Sequence, residues 1–129
     1  MEEIKEELII TKKNLTKLDI LKKLSSGTEL RSGINDIVNS NMGALIIIIN
    51  PKIYDVFQGG FKVNCKFTSK RLVELAKMDG AIILSEDFKK ILYANTLLVP
   101  DNSLSSFETG IRHQAAERTA KQTDGLVIA

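Results

Sequence analysis

One uninterrupted apolar run, residues 44–49 (ALIIII), constrains the fold of this chain more than any other feature. It follows Gly43 and ends at Asn50-Pro51. A short run that is rich in β-branched residues and bounded by turn-forming residues is typical of a strand that is buried on both faces. We therefore expect a sheet with other elements packed against each of its faces.

Helix-like and strand-like segments alternate along the rest of the chain. Apolar residues recur at helical spacing in 18–24 and in the helix that Thr28 begins, where they form one stripe: Leu30, Ile34, Ile37 and Val38. Thr68 and Ser69 are cap residues for a third helix that ends near Gly80. Three of its residues are predicted to face inward: Leu72, Leu75 and Ala76.

The remaining segments complete the prediction of a mixed sheet. A short helix is expected around 52–57, a β-hairpin with an irregular turn over 81–99, and a last helix over about 109–123. The final residues, LVIA, are typical of one more strand. The pattern predicts an α/β domain, a mixed β-sheet with helices packed on its faces. Residues 1–17 are a charged segment, expected as a frayed helix or a tail, and 18–129 form the domain.

Length and composition exclude several classes of protein. The 129 residues suit a single domain, and the net charge of +2 gives no broad nucleic-acid footprint. The single cysteine, Cys65, excludes an internal disulfide, and one Cys with one His is too few for a common zinc site. No apolar run approaches the about 20 residues of a membrane helix. We therefore expect a cytoplasmic, soluble protein.

The last predicted helix begins with the only histidine of the chain. Arg112 and His113 follow Thr109-Gly110 at its first turn. Helix N-termini attract anions through their unpaired amides and dipole, and Arg adds a forked donor that suits phosphate. The alternative is that Arg112 is simply solvated and that His113 packs over the hairpin.

Asp79-Gly80-Ala81 and Gln58-Gly59-Gly60-Phe61 have two interpretations each. An Asp-Gly between a helix and a strand is usually a turn, and paired glycines usually form a tight one. The functional alternatives are a carboxylate at an end of the sheet, where ligands bind in α/β folds, and a backbone that a base or phosphate can approach. The Walker, Rossmann and zincin motifs are absent. Nothing near Cys65 indicates an activated thiol, so we expect it to be buried and inert.

The segments MDGAIIL, ILYANTLLVPD and ETGIRHQAAERTAKQT, in this order, resemble the diadenylate cyclase (DAC) domain family of the DisA type. The likeness begins at LSSGTELRSGINDIVNSNMGALIII, includes QGGF and continues to the last residue. Spacing and composition alone do not lead to this family. The resemblance implies condensation of two ATP molecules into cyclic di-AMP and two pyrophosphates, with Mg²⁺ or Mn²⁺. It also implies a face-to-face dimer within a higher oligomer, an octamer in the family, because each 3′-hydroxyl attacks the other ATP.

The resemblance also assigns roles to residues. Asp79 would be the catalytic carboxylate and metal ligand, and Arg112 and His113 would grip the phosphates. The ATP-binding residues that it implies are Gly80, Ala81, Leu98, Thr109, Gly110, Ile111, Arg112, His113, Gln114 and Ala115.

The chain departs from the family pattern at the last helix. The family usually has Gly-Thr-Arg-His-Arg-Thr where this chain has Gly-Ile-Arg-His-Gln-Ala. Ile111 and Ala115 each lack a hydroxyl, and Gln114 lacks a cation, whose loss would cost on the order of 10²–10³ in rate. A catalytically impaired nucleotide-binding or assembly module is therefore the alternative function, and a likeness of fold alone is a third.

The chain stops inside its last apolar run, so we expect that the native chain continues. The linker and the helix-hairpin-helix domain that binds DNA in this family are not in the sequence, and DNA contact would need them. The missing continuation would leave an open sheet edge that favours aggregation. We expect a longer chain to be more stable and to bind ATP more tightly.

Overall fold

The fold is an α/β domain, seen in a computed structural model that describes residues 8–10, 22, 24–104, 106, 110–123 and 125–128, although not the side chains of 8–10 and 111. The strands in these ranges are β1 (Leu8–Ile10), β2 (Leu45–Ile48), β3 (Phe57–Gln58), β4 (Phe61–Lys66), β5 (Ala81–Leu84), β6 (Lys90–Leu98) and β7 (Leu126–Ile128). The α-helices are α1 (Glu29–Asn39), α2 (Ser69–Ala76) and α3 (Ile111–Thr123), and Pro51–Asp55 form a 3₁₀ turn.

These strands form one mixed sheet, as the sequence predicts. Its order is β1-β7-β2-β5-β6, and both β3 and β4 pair with β6. Only β2 and β5 run parallel among the pairs described, with Leu45 opposite Ala81, and the other pairs are antiparallel. The expected α/β class is confirmed.

The apolar run at 44–49 forms the centre of the sheet. All four residues of β2 are buried, because its alternate side chains enter two separate cores. Ile46 and Ile48 pack on the face that α1 and α2 cover. Leu45 and Ile47 pack on the opposite face, with Ala116 and Ala120 of α3. The prediction of a strand buried on both faces is confirmed.

The first two helices begin at the predicted caps and bury the predicted stripes. Thr28 Oγ1 accepts a hydrogen bond from the amide of Arg31, and Thr68 Oγ1 accepts one from the amide of Arg71. The members of the predicted stripes that are buried are Leu30, Ile34, Ile37, Leu72 and Ala76. The helix expected over 18–24 lies largely outside the described residues.

The hairpin over 81–99 is confirmed, and its irregularity lies in the pairing as well as in the turn. β5 and β6 are antiparallel, with register shifts on both sides of Ile83. The strands β3 and β4 were not predicted. Both lie along β6, so Gly59-Gly60 interrupts a strand and does not form the tight turn of a hairpin. Cys65, in β4, is half-buried against the α1 and α2 face.

The two ends of the described chain meet in the sheet. β1 pairs with β7, so the helix or tail expected over 1–17 is wrong for Leu8–Ile10. β7 is central, as LVIA predicts, and it is paired with β2 on its other side. The open edge expected beside this strand is therefore wrong for Leu126–Ile128, whose neighbours on both sides are strands.

Candidate functional site

The predicted site residues that the structure describes lie at one edge of the sheet, where β2 and β5 begin. Gly43 and Asp79 lie two residues before Leu45 and Ala81, which are partners in the parallel pair β2 and β5. The carboxyl ends of β6 and β7 reach the same edge, because these strands run antiparallel to their neighbours. Parallel sheets usually bind ligands at the carboxyl ends of their parallel strands. Here the candidate site is instead at the amino ends of β2 and β5.

The Asp79–Gly80 turn rests on the backbone of β6. Asp79 is exposed, and its carbonyl oxygen accepts a hydrogen bond from Nδ2 of Asn95 at 2.7 Å. Gly80 has φ +92°, and a Cβ on it would lie 2.8 Å from the carbonyl oxygen of Thr96. A side chain at position 80 would therefore push the turn away from the strand. The Asp-Gly forms a turn, which is the first of the two interpretations of this motif. The turn also places an exposed carboxylate residue at this edge.

The start of α3 reaches the amino end of β2. Arg112 is exposed, and its guanidinium packs so closely on Gly43 that a Cβ at position 43 would overlap it. His113 is half-buried, and its Nδ1 lies 3.3 Å from where a Cβ on Gly110 would be. Arg112 and His113 also line a cavity of about 200 Å³. Its other lining residues are Ile34, Ile37, Val38, Met42, Gly43, Ala44, Ile46 and Ile128.

Ala81 and Leu98 face the same side of the sheet as α3. Ala81 is fully buried there, and Leu98 is half-buried and lies opposite Phe57 in the pairing of β3 with β6. Phe57 contacts the rings of Tyr54 and Tyr93, with centroids 5.5 and 5.3 Å away. Tyr54 is 57% exposed. The sequence did not single out these rings, because the strand that carries Phe57 was not predicted.

The other predicted binding residues lie in the first turn of α3 or just before it. Gly110, Gln114 and Ala115 are half-buried, and the amide of Gln114 donates to the carbonyl of Gly110 at 2.8 Å. Thr109 lies outside the described residues, as does the side chain of Ile111. The structure thus brings the Asp79–Gly80 turn and the α3 start to one edge.

The one carboxylate residue described at this edge, Asp79, suits a metal ion that is also bound by the phosphates of a ligand. In the described part of the chain, no three or more His, Cys, Asp or Glu side chains cluster to hold a metal. Mg²⁺ commonly binds one or two carboxylates, completing its shell with water and substrate phosphates. Asp79 offers one exposed carboxylate, which fits such a shared site and does not fit an all-protein one.

Comparisons with known proteins show the family of this chain. The profile of the family described as DisA bacterial checkpoint controller nucleotide-binding (DAC) matches residues 31–129. DNA integrity scanning protein DisA of Thermotoga maritima is 54% identical over 114 residues, which are 87% of this chain and 32% of the relative. DisA of Bacillus subtilis is 54% identical over 111 residues, which are 85% and 31% of the two chains. The chain therefore spans about a third of the length of these curated relatives.

A solved structure shares the fold. The hypothetical membrane spanning protein from Bacillus cereus superposes with a TM-score of 0.70 at 21% identity, covering 86% of this chain and 60% of the other. Within the ranges described for this chain, no helix has the length and apolar character needed to cross a membrane.

Proposed function

Because this chain belongs to the DisA bacterial checkpoint controller nucleotide-binding family, we propose that it is a diadenylate cyclase domain, which condenses two ATP molecules into cyclic di-AMP and two pyrophosphates. The observation that carries the proposal is the meeting of two groups at one sheet edge. The Asp79–Gly80 turn and the Arg112-His113 helix start are far apart in sequence, yet both adjoin the amino ends of β2 and β5.

The triphosphate would bind at the start of α3. The first amides of a helix are unpaired within the helix, and the positive end of its dipole stabilises an anion. The exposed guanidinium of Arg112 adds a charged donor for two phosphate oxygens. The nucleoside would then lie toward Ala81 and Leu98, which share the face of the sheet with α3.

Asp79 would act on the attacking hydroxyl. In each of two transfers, a ribose 3′-oxygen forms a bond to the α-phosphorus of the other ATP, and the bond from that phosphorus to pyrophosphate breaks. The Asp79 carboxylate would accept the hydroxyl proton and would contribute a ligand to the metal. Bound Mg²⁺ or Mn²⁺ would supply charge neutralisation at the phosphates. The chain contributes mainly position and charge, as is usual in phosphoryl transfer.

Ring closure needs a second copy of the site, so we propose a face-to-face dimer within a larger oligomer. Exposed apolar side chains on the described surface support it. Tyr54, Phe61, Leu97 and Val99 are 43–58% exposed, and all lie on or beside β3, β4 and β6. Such residues favour contact with another surface. We also propose that the protein acts in the cytoplasm, where ATP is supplied.

Incubation with ATP and Mn²⁺ tests the proposal, with cyclic di-AMP measured by mass spectrometry. We expect the ring product from the unmodified chain and its loss in Asp79→Asn. Asp87→Asn is the matched control. Asp79 precedes β5 and Asp87 follows it, in the β5–β6 turn, where the Asp87 carboxylate accepts hydrogen bonds from Ser85 and Lys89. Full activity in Asp79→Asn would contradict the role of that carboxylate.

The alternative is a nucleotide-binding or assembly module with impaired catalysis, and the residues that favour it are Ile111 and Gln114. A neutral amide donates hydrogen bonds about half as strong as those of a cation. Gln114 is half-buried in the first turn of α3. Its side chain is neutral, so it would bring no positive charge to a phosphate bound there.

Calorimetry with ATP separates the two functions. Binding without any cyclic product supports the alternative, and product that appears in the double variant Ile111→Thr, Gln114→Arg identifies these two positions as the cause. Rapid turnover by the unmodified chain would contradict impairment.

A further inference from the structure

Asn95 interrupts β6 at the place where the strand passes the Asp79–Gly80 turn. Its φ is +54°, a left-handed conformation that is rare in a strand and that Asn tolerates better than most residues. The pairing with β5 shifts at this point. Ala81 lies opposite Thr96 and Ile83 opposite Tyr93, so β6 contains one more residue than β5 between the same two pairs. Asn95 therefore lies in a β-bulge.

This bulge contacts the Asp79–Gly80 turn in two ways. The side chain of Asn95 donates through Nδ2 to the carbonyl oxygen of Asp79 at 2.7 Å. Its backbone lies directly against Gly80, where a Cβ would come within 2.9 Å of the carbonyl carbon of Asn95. Bulges redirect a side chain next to active sites. Here the redirected amide holds the residue that carries the candidate catalytic carboxylate.

We infer that Asn95 is a positioning residue for Asp79, fixing the turn so that the carboxylate meets the 3′-hydroxyl and the metal. The inference rests on the proposed cyclase function and deepens it. Asn95 touches no reacting atom in this role, because its bond goes to the backbone of Asp79.

The proposed role requires two properties of the residue at position 95. The residue must adopt a left-handed backbone, and its side chain must donate a hydrogen bond. Glycine has only the first property. Aspartate tolerates the conformation, but its ionised side chain only accepts and would place an oxygen against the carbonyl oxygen of Asp79. Asn95→Gly and Asn95→Asp therefore remove the bond by different routes.

The closing experiment compares these variants with Asn64→Gly. Asn64 is also exposed and left-handed, with φ +48°, and it lies at a register shift of β4. We expect kcat for cyclic di-AMP to fall about 10- to 100-fold in both Asn95 variants, because small misplacements of catalytic groups have effects of this order. The ATP affinity is expected to fall less than kcat in them, because the α3 start is unchanged, and the Asn64 variant is expected to match the unmodified chain in both quantities.

A second readout needs no nucleotide and no activity. The ¹⁵N relaxation of the Gly80 amide is expected to report a more mobile turn in both Asn95 variants and an unchanged turn in Asn64→Gly. An unchanged Gly80 amide, or a mobile turn with unchanged kcat, would overturn the role of Asn95. If the unmodified chain forms no cyclic di-AMP, the proposed function fails, and the relaxation of Gly80 still decides whether Asn95 holds the turn. If Asn95→Gly does not fold, the kcat and the Gly80 relaxation of Asn95→Asp decide the role of Asn95.

Discussion

The starts of α2 and α3 differ in the residue that precedes each helix and in the part of the sheet that lies beside it. At α2, Thr68 Oγ1 accepts from the amide of Arg71 at 3.1 Å, and a carboxylate oxygen of Glu29 in α1 accepts from the amide of Ser69 at 2.6 Å. At α3, the preceding residue is Gly110, which has no side chain. Yet both first turns are basic, with Lys70 and Arg71 in one and Arg112 and His113 in the other.

Basic residues at a helix start therefore do not by themselves mark a binding site. The first turn of α2 receives its acceptors from the chain itself, and the guanidinium of Arg71 also donates to the carbonyl of Lys66. An anion would compete there with bonds that already exist. The start of α3 instead adjoins the edge that holds Asp79, and its Arg112 guanidinium packs on Gly43. What lies beside a helix start, and not its basic residues alone, separates a structural start from a candidate ligand site.

Removing the guanidinium at each helix start should give the largest difference. Arg112→Ala is expected to weaken ATP binding about 10- to 100-fold, since hydrogen bonds to charged groups contribute roughly 1.5–3 kcal/mol. Arg71→Ala is the matched control and should leave ATP affinity unchanged. Isothermal titration with ATP measures both variants. Equal losses in the two would mean that general positive charge, and no defined site, attracts the nucleotide.

Gly43→Ala tests whether the position of the Arg112 guanidinium matters, because it leaves the charge of Arg112 unchanged. The added Cβ would overlap the guanidinium, so Arg112 must move. We expect an approximately 10-fold loss of ATP affinity, because displaced binding groups lose much of their effect. The control is Gly33→Ala in α1, whose Cβ would meet Leu72 of α2 at 2.8 Å. That variant should lose about 1–3 kcal/mol of stability through overpacking and bind ATP normally once folded. Unchanged affinity in Gly43→Ala would show that Arg112 acts from another position.

Thr68→Ala should affect stability alone. Loss of an N-cap side chain costs about 1 kcal/mol, so the free energy of unfolding in urea is expected to fall by this amount. The ATP affinity of the folded variant should equal that of the unmodified chain. A marked loss of ATP affinity would place α2 in the binding site and remove the distinction between the two helix starts.

The smallest effect concerns Asp87, a carboxylate that, like the α2 start, is satisfied by the chain itself. The hydroxyl of Ser85 and the amide of Lys89 donate to it, and they hold the pKa of Asp87 below its ordinary value of 3.8. A lowered folded pKa means that the contribution to stability is present above pH 3.8 and is lost as the pH falls through the folded pKa. A ¹³C titration of this carboxyl should give the lowered value, and Ser85→Ala should raise it. An ordinary pKa in the unmodified chain would contradict these bonds.

The sequence predicted the elements whose signals are local. The apolar run of β2, the Thr28 and Thr68 caps and the hairpin of β5 with β6 follow from burial, capping and alternation over a few residues. The resemblance to the DAC family indicated the candidate site residues. The fold places two of them, Asp79 and Arg112, at the same edge of the sheet.

Other elements depend on partners that are distant in sequence. β1 is a strand because β7 provides its pairing, and β3 and β4 are strands because both lie along β6. β1 and β3 have only three and two residues, which is too short for a periodic signal. β4 (FKVNCK) does alternate apolar and polar residues, a signal that the prediction did not use. The bond from Asn95 to Asp79 also joins distant segments, and a lone asparagine within a strand-like run does not reveal its target.

An amide NMR titration with ATP and Mg²⁺ tests the central claim most directly, because it reads both helix starts and the Asp79–Gly80 turn in one sample. We predict that the amides of Gly80, Arg112 and His113 shift together along one binding curve, while the amide of Ser69 does not move. Shifts at Ser69 that match those at Arg112, or an Arg112 response without any at Gly80, would contradict a single ATP site built from the α3 start and the Asp79–Gly80 turn.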